Sequence, residues 1–222
     1  MEATAQNAHE RRVTNAWNVT LFSSPSAAGF EGRPGWFAAA EFDGREEFSL
    51  SFHEPGKESL HWPVLRELTL KAKERDTDLF FICGSAHRFS VDYSAGYLDA
   101  CIRAAEKNGA DILLGAVNWF ESAVQVDENL FWVDKFQGMQ FVAFFRRFYD
   151  TILRVGTEHH KRPAEHLLSS VAANKLLLYP FVSGVTERTS GPAQGRFYAD
   201  PADQLDLLQQ VKKFYSLTRL NK

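Results

Sequence analysis

The sequence predicts an α/β fold with parallel strands flanked by helices, and three features predict it. Asp78–Cys83 (DLFFIC) and Ile112–Val117 are short unbroken apolar runs, the mark of strands covered on both faces. Between them, Tyr93–Asn108 carries Tyr97, Leu98, Cys101, Ile102 and Ala105 at helical spacing, with Gly109 where a helix C-cap glycine belongs. Strand, helix and strand of these lengths form a βαβ unit, which implies parallel strands and a right-handed crossover.

The remaining elements follow in order. Trp17–Phe22 alternates and stops at Ser-Ser-Pro, so it is the first strand. Ser23–Pro34 is rich in Ser, Gly and Pro and is a loop. Pro34–Phe42 suits a short helix stopped by Gly44. Glu47–His53 places Phe48, Leu50 and Phe52 on one face of a strand. Pro55-Gly56 turns the chain into a helix from about Leu60 to Arg75, with Val64, Leu68 and Ala72 along one stripe. Beyond the βαβ unit, Leu130–Val133 and Met139–Phe145 read as strands and Arg146–Val155 as a helix. Ala164–Ala173 is expected to be helical and Lys175–Val182 extended. Gly184–Gly195 reads as a loop, and Pro201–Leu217 closes the chain as an amphipathic helix. Without a repeat or a low-complexity linker, the 222 residues are expected to form a single domain.

Composition narrows the function classes. A net charge of −3 with scattered Lys and Arg gives no basic footprint for nucleic acid. No apolar run is long enough to predict a membrane span. Met1–Arg12 is polar and charged, without the apolar stretch of a signal peptide. Cys83 and Cys101 lack the CxxC spacing and fit reduced thiols, so a cytoplasmic location is expected. The sequon at Asn18-Val-Thr20 falls inside a strand and is read as coincidence. The 19 Phe, 5 Trp and 6 Tyr point first to a bulky aromatic core, with a few rings left to stack on sugars.

In an open α/β sheet, ligands bind beyond the carboxyl ends of the strands, near a switch in strand order. The strand ending at Cys83 runs into Gly84-Ser85-Ala86-His87-Arg88-Phe89. The segment DLFFICGSAHRFSVDYS resembles a stretch of the GT-A-type glycosyltransferases of bacterial surface-polysaccharide clusters, which carry Cys-Glu-Asp-Asp-His-x-Phe there. The resemblance continues through GADILLGAVNWF at 109–120, ENLFW at 128–132, KFQGMQFVAFFRRFY at 135–149 and NKLLLYPFVS at 174–183. It covers about half the chain, roughly residues 78 to 183.

The resemblance implies a GT-A-like Rossmann-type nucleotide-sugar-binding fold with a mixed, mostly parallel central sheet flanked by helices. A nucleotide-sugar donor would bind the half from about 13 to 117, and a glycan acceptor the half from about 118 to 222. In that chemistry, acidic side chains hold a divalent metal on the donor diphosphate. Here a glycine, a hydroxyl and a methyl group stand in their place, and hard cations require oxygen ligands. No metal cofactor is therefore expected. Two readings stay open: a metal-independent transferase, or a catalytically inactive relative that binds sugar, nucleotide or a partner enzyme.

The resemblance also implies the site residues. Arg33, Ser85, His87 and Arg88 would bind the donor, although His87 equally suits a structural histidine behind the strand. An inverting transferase needs a base for the acceptor hydroxyl. Glu165 is the first candidate and His166 the second, against the plainer role of Glu165 at a helix N-terminus. Trp119, Glu121, Asn129 and Trp132 are candidates for acceptor binding. Gln140, an amide among aromatics, would contact sugar hydroxyls or join an internal network. His159-His160 is expected to be surface, because adjacent residues point apart. The segment 184–190 is shorter than its counterpart in those relatives, which puts the acceptor side in question.

Overall fold

The computed structural model describes residues 16–22, 36–53, 62–156, 164–185 and 200–219. Arg33, the Pro55-Gly56 turn, His159-His160 and all of the 184–190 segment beyond Val185 lie outside the described residues.

An eight-stranded sheet organises the chain, in the order β2-β1-β3-β10-β5-β11-β8-β7. Its strands are β1 (Trp17–Phe22), β2 (Phe48–His53), β3 (Leu79–Gly84), β5 (Ile112–Leu114), β7 (Ala123–Asp127), β8 (Leu130–Val133), β10 (Phe141–Phe145) and β11 (Lys175–Leu178). β1 is parallel to both β2 and β3, and β5 is parallel to β11. β10 runs antiparallel to both β3 and β5, and β8 antiparallel to β11 and β7. Six of the eight strands thus share one direction. Two small ribbons stand beside the sheet: β4 (His87–Phe89) with β12 (Ser183–Val185), and β6 (Trp119–Phe120) with β9 (Phe136–Gln137).

Strand alternation divides the core into two layers. Phe80, Ile82, Val142 and Phe144 face one side, with Trp62, Phe148, Tyr149, Leu168 and Leu205. These residues bring in α2 (Trp62–Glu74), α4 (Arg146–Arg154), α5 (Ala164–Val171) and α6 (Pro201–Arg219). Leu79, Phe81, Cys83, Phe141 and Ala143 face the other side, against Leu98, Cys101 and Ile102 of α3 (Ala95–Lys107) and Ala38 of α1 (Trp36–Ala40). β3 and β10 are buried on both faces, and so carry unbroken apolar sequence. α3 begins where Ser94 accepts a hydrogen bond from Tyr97 N, and ends at Gly109 with φ +70°.

β3 and β5 are parallel, as the βαβ unit implies, with β10 from the C-terminal half lying between them. Several expectations are corrected. In α2 the buried residues are Trp62, Leu65, Thr69 and Ala72, with Val64 and Leu68 only partly buried. A spacing of four overshoots the 3.6-residue turn, so the predicted stripe starts beside the buried face and reaches it only at Ala72. Phe52 does not share the burial of Phe48, being 62% exposed on the edge strand β2. The strand expected to reach Val182 stops at Leu178, before a cis Tyr179-Pro180 bond. Gly184, expected in a loop, lies in β12.

Close backbone approach shapes the sheet's carboxyl edge. Gly115 N donates to Phe141 O at 2.8 Å, and Gly115 O accepts from Val182 N at 3.1 Å. A Cβ on Gly115 would meet Phe141 Cδ1 at 2.9 Å and the Phe141 carbonyl oxygen at 3.0 Å. Gly115→Ala is expected to cost about 1–3 kcal/mol, because the obstructing oxygen is backbone. Urea denaturation would measure it, and an unchanged midpoint would contradict the packing described.

Candidate functional site

The strand order reverses at β1: the chain leaves it for β2 on one side and returns to β3 on the other. Such a switch opens a crevice beyond the carboxyl ends of the strands. The register fixes which residues stand there, since Phe22 pairs with both His53 and Gly84. The end of β1, where the segment carrying Arg33 departs, is therefore beside Gly84-Ser85-Ala86.

After that triplet the chain folds back as β4. Ser85 and His87 are buried, whereas Arg88 is exposed. His87 is enclosed by aromatic rings: Phe141 is stacked on it at 5.1 Å, Phe89 meets it edge-on at 4.5 Å, and Phe42 lies at 5.6 Å. Its Nδ1 shares a 2.7 Å hydrogen bond with Ser183 Oγ across the β4–β12 ribbon. Its Nε2 is buried with no partner among the described residues. Burial, aided by the Arg45 guanidinium, lowers its pKa to about 3. His87 is thus a buried imidazole that is neutral at neutral pH.

Residues that sequence reasoning passed over hold β4 in place. Glu41 Oε2 accepts from Phe89 N at 3.1 Å. Arg45 donates to Glu41 O at 2.7 Å and lies over the rings of Phe89 and Tyr93, at 4.4 and 4.6 Å. The only signal available in the sequence was the cluster of charges at 41–47.

A second segment reaches the same edge. Gly84 N donates to Gln140 O at 2.8 Å, so the residues leading into β10 lie against the end of β3. Two residues earlier, Gly138 (φ +103°) donates its N–H to Glu165 Oε2 at 3.2 Å. A Cβ on Gly138 would meet Asn118 N at 2.8 Å, in a backbone conformation that side chains rarely adopt. Glu165 lies in the first turn of α5, and its side chain is 33% exposed. His166 Nε2 is 3.8 Å from Glu165 Oε1 and its side chain is 60% exposed.

The acceptor candidates separate. Trp119 lies on β6, opposite Gln137 of β9, and β9 is held to α5 by Phe136 N donating to Ser169 Oγ at 3.2 Å. Glu121 continues that ribbon, and its carboxylate forms an exposed 2.6 Å ion pair with Lys135. Trp119 and Glu121 thus belong to the neighbourhood of Glu165 and His166. Asn129 is beyond β11, where its carbonyl accepts from Tyr179 N at 3.0 Å. Trp132 Nε1 donates to Ala173 O at 3.2 Å, before β11 begins and so toward the opposite end of the sheet.

No carboxylate stands at 84–86, and no group of three His, Cys, Asp or Glu among the described residues is placed to hold a metal. No helix among the described residues is long and apolar enough to cross a membrane.

No family model and no curated protein sequence matches the chain. Solved structures similar to it include A197 from STIV, at 12% identity and TM-score 0.48, over 75% of this chain and 83% of that one. Mannose-1-phosphate geranyltransferase from Thermus thermophilus is similar at 9% identity and TM-score 0.46, over 73% of each chain. An apo UDP-glucose pyrophosphorylase is similar at 6% identity and TM-score 0.40, over 78% of this chain and 77% of that one.

Proposed function

We propose that the crevice at the β1–β3 switch binds a nucleotide-sugar, and that the chain transfers the sugar to a glycan acceptor without a divalent metal. The observation that carries this reading is the 138–140 segment, which joins Gln140 at the end of β3 to Glu165 through Gly138. A donor site and a carboxylate able to serve as base thereby share one edge of the sheet. Ser85, Arg88 and Arg33 are the donor-side groups of this proposal, and Trp119 and Glu121 the acceptor-side groups. Glu165 would take the proton from the acceptor hydroxyl as its oxygen attacks the anomeric carbon, and the nucleoside diphosphate would leave toward Arg88.

The second reading, binding without transfer, is favoured by the neutrality of His87, which removes one expected counter-charge for the leaving group. Incubating a panel of nucleotide sugars and glycan acceptors with the protein, in EDTA or in Mn²⁺, separates the two. Equal release of nucleoside diphosphate under both conditions is the expected result. Release that depends on Mn²⁺ would refute the metal-free route. No release, with a donor-dependent rise in melting temperature, would favour the inactive binder.

A further inference from the structure

The sheet's carboxyl edge has an outer end as well as an inner one. Phe22 pairs with His53 on one side and with Gly84 on the other, so the last residues of β2, β1 and β3 lie abreast. Gly84 N donates to Gln140 O and Gly138 N to Glu165 Oε2, so the same edge continues inward to the carboxylate on α5. Neighbouring strands are about 4.8 Å apart, which puts His53 about 10 Å from Gly84. It stands on the side away from Glu165, because β2 is the outermost strand.

His53 is only half-buried, so solvent reaches it. Its ring lies against Phe22, with 5.5 Å between centroids. Phe22 belongs to the core layer that holds α2 and α5, so His53 and the helix carrying Glu165 are on the same side of the sheet. The acid within electrostatic reach of His53 is Glu67 of α2, and its carboxylate is taken up by Lys71 at 2.6 Å.

Chemistry sets the direction of an extended donor along this edge. The anomeric carbon must reach the base at Glu165, the diphosphate then falls at the end of β3, and the nucleoside falls at the end of β2. The ribose brings two neighbouring hydroxyls there, each a donor and an acceptor. A neutral imidazole offers one donor and one acceptor. Packing against Phe22 already restricts the ring, so little side-chain freedom is lost on binding.

We propose that His53 is a donor-binding residue that hydrogen-bonds the ribose hydroxyls, so that the donor lies along the carboxyl edge with its nucleoside at β2 and its sugar at α5. The inference rests on the reading of this crevice as a nucleotide-sugar site.

Isothermal titration calorimetry tests it with UDP, GDP, ADP and CDP, each beside its 2′,3′-dideoxy counterpart, on the full native chain, on His53→Phe and on His53→Ala. Thermal melts establish which variants fold, and His53→Phe keeps a ring against Phe22. The native chain is expected to bind one of the four about five- to tenfold more tightly than its dideoxy counterpart, the worth of about one hydrogen bond. In a folded variant that ratio should fall toward one, with affinity lost for the ribonucleotide and kept for the dideoxy compound. A ratio undiminished in a folded variant, or a native chain that binds both compounds alike, would overturn the role of His53 and leave the crevice reading standing. A folded native chain that binds none of the four would overturn both.

Discussion

Lowering the pH from about 6.5 toward 3 is expected to remove up to about 5 kcal/mol of stability through His87 alone. The sign follows from the direction of the shift. Burial among Phe42, Phe89 and Phe141 lowers the folded-state pKa from the ordinary 6.5 to about 3. Between those values the unfolded chain binds a proton at His87 that the folded chain refuses. The stabilisation is therefore whole above the unfolded value and is lost as pH falls toward the folded one. At pH 4.5 the expected loss is already about 3 kcal/mol, a large share of an ordinary domain's stability. Arg45 acts in the same direction, because a second cation nearby opposes protonation. The double variant His87→Phe, Ser183→Ala removes both partners of the buried hydrogen bond and the unpaired Nε2 with them. Urea denaturation at pH 7, 5.5 and 4.5 should give a steep loss for the native chain and a shallower one for the variant. Parallel losses in the two proteins would show that other groups set the acid limb.

His87 also shows where sequence reading stops. Its neighbours Phe42, Phe89 and Phe141 come from three separate segments, and nothing local distinguishes an imidazole facing phosphate from one stacked in a core. The sheet's central strands were legible because β3, β5 and β10 are buried on both faces and are written as unbroken apolar runs. The βαβ unit gave β3 and β5 their common direction, but the direction of β10 was not legible, since a strand buried on both faces looks the same read either way. That is why β10 was not foreseen between β3 and β5. The ribbons β4–β12 and β6–β9 pair only three and two residues per strand, too few for any period to register. Gln140 was legible as an amide among aromatics. Its contact with Gly84 required the antiparallel register that only the fold supplies.

Replacing Glu165 by Gln is the substitution expected to cost most in turnover, about 100- to 10,000-fold in kcat, the usual worth of a positioned general base. The variant is informative because of what it keeps. Glu165 Oε2 accepts from Gly138 N, and a Gln carbonyl oxygen can accept the same bond. The 138–140 segment, and with it the placement of Gln140 against Gly84, should survive with the melting temperature and nucleoside diphosphate affinity unchanged. What disappears is the ability to take a proton. Glu165→Ala removes both functions, so it should lower kcat and also destabilise the protein, by about 1–2 kcal/mol for the unpaired Gly138 N–H. A carboxylate that only supports the helix N-terminus predicts the reverse order, with Gln nearly fully active and Ala impaired through folding. His166, the second candidate, is exposed on the same turn, 3.8 Å from Glu165 Oε1. If Glu165→Gln keeps native kcat while His166→Asn loses it, the base is His166, and Glu165 is the residue that positions the 138–140 segment.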